Sequence, residues 1–224
     1  MTTPTLLPRL TAAFEGAADP ERAVAMAAYM RDQFAFLGIM STPRRALSRE
    51  VTRGLPKPSG AELESVVRAC WALDKREYHY FGTDYAARHI AVAGPDFLAT
   101  ARFLVETHPW WDTVDALAAH VVGPLVTAYP ELVATMDAWA RDDNLWVART
   151  AVLHQLRYKG RTDATRLFGY CADLAGHPDF FIRKALGWAL REYAHTEPEP
   201  VRAFVAAHRD TLSPLSVREA LKHL

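Results

Sequence analysis

One rhythm governs this sequence. Alanine- and leucine-rich runs recur along the whole chain, each closed by a polar, glycine or proline break after roughly 12–20 residues, the length of a globular helix. Strand-like alternation of apolar and polar residues is nearly absent. A chain written this way buries its apolar faces helix against helix. Helices are expected over 5–17, 20–33, 43–54, 60–74, 76–92, 95–107, 110–128, 130–141, 144–159, 163–176, 178–195, 199–211 and 214–223. The short connections make successive helices antiparallel neighbours. The expected fold is therefore all-α: a curved superhelix of stacked antiparallel helix pairs with a concave face, forming a single domain over 1–224. "LPKPSG" at 55–60 reads as a loop within it.

Successive helix pairs repeat at roughly 35–45 residues, the spacing of HEAT-like repeats, although the pairs share rhythm and not sequence. Local signals mark several ends. Thr42-Pro43 offers a capping hydroxyl and a proline at the first helical position. Ser59 with Glu62 reads as a capping box. Asp19-Pro20 and His177-Pro178 read as entries, and Gly54, Gly94 and Gly160 as stops. Pro124 falls inside a helical pattern and predicts a kink or break at "VVGPLV".

Charge is balanced, with 26 Lys and Arg against 26 Asp and Glu, so it gives no global sign of a nucleic-acid or membrane partner. Cys70 and Cys171 stand far apart without a CxxC or a metal-like spacing, and are expected to be buried free thiols in a reducing compartment. Neither a leader nor an apolar run of about 18–20 residues is evident, so a soluble cytoplasmic protein is expected. There is no glycine-rich phosphate loop, no HExxH and no GxSxG, and no metal or cofactor is expected.

Three stretches could carry chemistry. The first is "HPWWDTVDALAAH", 108–120. As a helix it sets Trp110, Val114, Leu117, Ala118 and Val121 on one apolar face, with Trp111 and Asp115 one turn apart on the next. Asp112 suits the first turn, where a carboxylate complements the helix dipole. Asp115 lies a full turn further in, so the Trp111–Asp115 pair is either a site or a core edge. The second is "DFFIRKALGWALREYAH", which places Lys184, Trp188, Arg191 and His195 on one stripe. That stripe suits a phosphate and a flat base, or else snorkelling cations around a half-buried indole. The third, "DDNLWVARTAVLHQLRYKGR", gathers Arg149, Arg157, Lys159 and Arg161, as a solvated face or as phosphate contacts. Tyr29 alone is an ordinary helix aromatic.

Taken together, "YMRDQFAFLGIMSTPRR", "WWDTVD", "DNLWVARTAVLHQLRYK", "FFIRKALGWALREYA" and "PLSVREALKHL" resemble the AlkD-type DNA alkylation-repair glycosylases, in order and from Tyr29 onward. The resemblance implies a HEAT-like superhelix with a basic concave DNA-binding face and the acidic residues on the convex side. It implies hydrolysis of the N-glycosidic bond of cationic alkylpurines such as 3-methyladenine and 7-methylguanine in duplex DNA, by a monomer associated with the nucleoid. The family's catalytic aspartate falls on Asp115 and its active-site tryptophans on Trp111 and Trp188. Its active-site arginine falls on Arg149, expected to position a phosphate, and its cleft tyrosine on Tyr29. Lys184, Arg191, Arg157 and Lys159 are expected to contact DNA. The alternatives are a non-catalytic DNA-binding relative and a protein-binding helical-repeat module.

Overall fold

A computed structural model describes residues 2–224, with side chains from Pro4 onward. Among the described residues every named element is helical, and one isolated bridge, Ala35 with Lys75, is the sole extended pairing. The chain divides into two compact units, Met1–Thr100 and Ala101–Leu224.

The first unit holds α1 (Thr2–Glu15), α2 (Pro20–Tyr29), α3 (Ser41–Val51), α4 (Gly60–Trp71) and α5 (Arg76–His89). In α4, Leu63, Val66, Val67 and Cys70 fall at helical spacing and are fully buried. Each of the three aliphatic side chains contributes roughly 1.5–3 kcal/mol by leaving water. Phe14 of α1 stacks on Tyr78 of α5, and its edge meets Phe81. The loop after α2 is fixed from a distance. Glu77, fully buried, accepts the backbone N–H groups of Leu37, Gly38 and Ile39 at 2.9, 2.8 and 3.1 Å.

Helix α6 (Phe97–Glu106) contains the division. The second unit continues with α7 (Trp111–Leu117), a π-helical turn (Ala118–Val122), α8 (Gly123–Ala128), α9 (Val133–Trp139) and α10 (Leu145–Leu153). It ends with α11 (Ala164–Asp173), α12 (Phe180–Ala194), α13 (Pro198–Ala207) and α14 (Pro214–Ala220). Every residue of α10 from Trp146 to Leu153 is buried, and α7, α9, α11 and α12 pack around it. It is the axis of this unit.

The ends test the local signals. The Ser59–Glu62 capping box is present in both directions, and Asp19 caps α2 by accepting from Arg22 N, with Pro20 at the first position. Thr42 is not a cap. Helix α3 starts two residues earlier, at Ser41 behind Met40, which makes no side-chain cap, so Thr42 and Pro43 lie within the first turn. The entry at His177-Pro178 moves to Asp179, whose carboxylate accepts from Phe181 N and Ile182 N. The expected helix 144–159 stops at Leu153, and a separate 3₁₀ turn follows at Lys159–Arg161.

The break foreseen at Pro124 takes the form of the π-helical turn just before it. Gly123 shows why the register changes there. A Cβ at this position would run into the His154 carbonyl at the end of α10, and the Tyr158 hydroxyl donates to the Gly123 carbonyl at 2.7 Å. The backbones must meet this closely, so the helix widens by one residue upstream of the contact.

Candidate active site

Trp110 is extended, with φ −162° and ψ 159°, and stands at the N-cap of α7 without capping it through its side chain. The expected place for it on the apolar helix face is therefore corrected. Its ring is half-buried against Trp146 and Phe181, with centroids 5.7 and 5.1 Å away, and the indole Nε1 is buried without a partner. This aromatic cluster clamps the start of α7 to α10 and α12. Val114, Leu117, Ala118 and Val121 are fully buried, as the periodicity requires.

Trp111 opens α7, and Asp115 follows one turn later on the same side. Asp112 accepts from Thr113 N at 3.0 Å within the first turn. Asp115 points toward α10. There Arg149 donates from Nε to Oδ1 at 2.7 Å and from Nη2 to Oδ2 at 2.8 Å. The two side chains are 3% and 15% exposed for Arg149 and Asp115. A guanidinium in a fully buried helix must have its charge matched nearby, and the planar fork matches a carboxylate edge. Its third arm, Nη1, donates to the Phe181 carbonyl in the first turn of α12. Arg149 thus ties α7 and α12 to α10.

Burial pushes the Asp115 carboxyl above the usual aspartate range, the Arg149 guanidinium opposes this, and the nearby Asp112 charge adds to the rise. Each Asp115 oxygen accepts one N–H from Arg149 and keeps a second lone pair. Such a carboxylate can face a developing positive charge or orient and deprotonate a water molecule.

Trp188 is half-buried on α12, about two turns beyond Phe181 and close to the same face. The cations flanking it turn toward α14. Lys184 Nζ lies 2.7 Å from one Glu219 oxygen and Arg191 Nη1 2.6 Å from the other. Gly187 makes this crossing possible, because a Cβ there would sit 2.5 Å from the Glu219 Cβ and 2.7 Å from the Ser216 carbonyl oxygen. Ser216 Oγ also donates to the Arg183 carbonyl at 2.8 Å. The side chains of Arg157 and Lys159 are exposed after α10 and have no ion pair among the described residues. Tyr29 closes α2 in the first unit and is 73% exposed, not a core aromatic.

The structure therefore joins Asp115 and Arg149 directly and sets Trp111 on the Asp115 helix. In this arrangement Arg149 holds the carboxylate where a phosphate contact was expected of it. Phe181 and Glu219 escaped the sequence reading. Phe181 meets Arg149 through its backbone carbonyl, which carries no residue signal, and Glu219 lies 28 residues from Arg191 with no spacing to link them. Among the described residues no group of three or more His, Cys, Asp and Glu could hold a metal ion. Cys70 and Cys171 are buried and unpaired, and burial pushes the Cys70 thiol up to about 12. Among the described residues no single helix is long and apolar enough to cross a membrane.

Comparison with known proteins bears on this geometry. A protein from Enterococcus faecalis described as a predicted DNA alkylation repair enzyme superposes with a TM-score of 0.85 at 31% identity, covering 92% of this chain and 96% of its own. AlkD2 from Streptococcus mutans superposes at 0.61 with 14% identity, covering 90% of this chain and 99% of its own. Smu.31 from Streptococcus mutans UA159 gives 0.62 at 15%, covering 81% of this chain and 92% of its own. The last two speak for the all-helical repeat fold alone. No curated protein sequence matches. The model of the DNA alkylation repair enzyme family matches residues 10–224, across both units, and the chain belongs to that family.

Proposed function

We propose that this protein is a monofunctional DNA glycosylase that releases cationic alkylpurines, of the 3-methyladenine and 7-methylguanine type, from duplex DNA. The observation that carries the reading is the recessed Asp115 carboxylate, gripped on one edge by Arg149 and retaining a free lone pair on each oxygen. An N-alkylated purine of this kind carries a formal positive charge. When its glycosidic bond breaks, the bonding pair goes to the base, which leaves neutral and needs no general acid. Positive charge passes to the deoxyribose, where a fixed carboxylate stabilises it. Water then adds at the anomeric carbon and gives up a proton, for which Asp115 is the acceptor. Trp111 and Trp188 offer indole faces to the cationic base. Tyr29, Arg157 and Lys159 serve substrate and backbone phosphates, and Lys184 and Arg191 do so from their ion pairs with Glu219. The protein works as a monomer in the cytoplasm, on nucleoid DNA, without a cofactor.

The test is release of 7-methylguanine from methylated duplex DNA by the wild type and by Asp115→Asn, alongside DNA affinity. The reading expects the variant to bind DNA as before and to lose most base release. Wild-type-like release by Asp115→Asn would falsify it.

A further inference from the structure

The Arg149–Asp115 pair is held from behind by a carboxylate that the chemistry above leaves out. Asp179 follows Pro178 at the N-cap of α12 and is half-buried. Its Oδ1 accepts Phe181 N at 2.6 Å and Ile182 N at 3.3 Å. An N-cap side chain satisfies orphan N–H groups at a helix start, and most such caps end there. This one leads further. The Ile182 N–H belongs to the same planar peptide unit as the Phe181 carbonyl, and that carbonyl accepts from Arg149 Nη1. One rigid peptide therefore has Asp179 at its donor end and Arg149 at its acceptor end.

Arg149 passes the constraint on. Its guanidinium is planar, so fixing Nη1 fixes the plane in which Nε and Nη2 meet Asp115, at 2.7 and 2.8 Å. Two flat groups, a peptide and a guanidinium, thus connect a carboxylate on α12 with a carboxylate on α7. The far end is braced as well. Asp179 N donates to His177 Nδ1 at 3.1 Å, and Arg183 Nε donates to the His177 carbonyl at 2.8 Å. Asp163 offers a contrast within the same unit. It caps α11 by accepting from Arg166 N, on a helix that makes no hydrogen bond to Arg149 or Asp115 among the described residues.

We propose that Asp179 is a positioning residue for the reaction at Asp115: through the Phe181–Ile182 peptide it fixes the plane of the Arg149 guanidinium, and with it the direction in which the Asp115 carboxylate faces the substrate. The effect on turnover rests on the glycosylase reading above; the hydrogen-bond relay does not.

The experiment compares Asp179→Ala, Asp179→Asn and, as a control, Asp163→Ala in release of 7-methylguanine from methylated duplex DNA, at a temperature where all are folded by circular dichroism. Asp179→Ala should lower kcat by roughly 10–100-fold, the range that a small misplacement of a catalytic group costs, with KM changed by less than about twofold. Asp179→Asn keeps an oxygen in place for both amides and should restore kcat. Asp163→Ala loses a cap of the same kind and should keep kcat. If the alanine variant at 179 does not fold, Asp179→Gly, a milder loss of the cap, takes its place. An Asp179→Asn variant as slow as the alanine one, or an Asp163→Ala variant equally slow, overturns the proposal. A second readout needs no activity. Exchange of the Arg149 guanidinium protons, followed by NMR, should speed up at Nη1 in Asp179→Ala and stay slow in Asp179→Asn. Unchanged exchange in Asp179→Ala overturns the relay. If the wild type releases no methylated base, the glycosylase reading falls, and the exchange measurement still decides the relay.

Discussion

Arg149 and Asp115 meet edge to edge across 34 residues of sequence, through two hydrogen bonds of 2.7 and 2.8 Å, with the arginine buried and the aspartate only 15% exposed. Removing one partner leaves a buried charge uncompensated, at a cost of about 3–5 kcal/mol. Arg149→Met is therefore expected to lower unfolding stability by that amount, read from urea denaturation, and to abolish base release. Arg149→Lys recovers little of either, because one ammonium cannot form the two parallel bonds and also reach the Phe181 carbonyl.

The acid limb of activity reports Asp115. Its folded-state pKa is raised above the ordinary 3.8, first by burial and in part by Asp112. Below the raised value the carboxyl is protonated and catalysis stops, so kcat/KM should fall with decreasing pH at a higher pH than an ordinary aspartate would give. Stability runs the other way. Between the unfolded and folded pKa values the folded chain keeps a proton the unfolded chain has lost, so this group's contribution declines as pH rises through that window. Asp112→Asn removes one cause of the rise and should move the acid limb of the kcat/KM profile to lower pH. A limb that stays in place would show that the Asp112 charge does not reach the site.

Sequence legibility follows the range of the interaction. The Ser59–Glu62 capping box and the Trp111–Asp115 spacing are readable because both partners lie within one helical turn. The all-helical fold is readable because period and breaks repeat along the whole chain. Arg149 stands out as a site residue, but its pairing with Asp115 does not, since nothing local says that a buried arginine on α10 will face α7. Trp110 misleads because an N-cap and a first helical residue differ in backbone angle, not in composition. Thr42 misleads because a capping hydroxyl two residues past the N-cap is simply part of the first turn.

Glu219 should behave as an opposite case in pH. Lys184 holds its carboxyl below the usual glutamate range, with Arg191 reinforcing, so the ion pairs stabilise the fold above the unfolded pKa and are lost as pH falls through the folded one. Lys184 is more than a third exposed, which discounts its share, and Glu219→Gln is expected to cost about 1 kcal/mol near neutral pH. The gap in melting temperature between wild type and variant should close on acidification. A gap independent of pH would assign the loss to packing at the α12–α14 crossing instead.

Glu77 anchors the loop between α2 and α3 through three backbone N–H groups. Glu77→Ala strands those donors in the interior and should lower stability by about 3 kcal/mol or more, at roughly 1–3 kcal/mol for each unsatisfied group. Amide exchange at Leu37, Gly38 and Ile39 is the direct check. These amides should lose protection before the α4 core does, and retained protection would show that the loop is held by its own packing.

The π-helical turn at Ala118–Val122 has a consequence for chain length. It carries one residue more than an α-helical turn would hold, and Gly123 then meets α10 in a fixed orientation. The wide turn absorbs its extra residue within about one revolution, so Asp115 and Gly123 keep their relative phase; one further residue inserted between Asp115 and the turn has no such outlet and would swing the start of α7 by about 100° relative to α10. Asp115 would then face away from Arg149 with every side chain of the pair intact. At this place the number of residues is constrained as tightly as their identity, and sequences aligned to this chain should vary in letters here far more freely than in gaps.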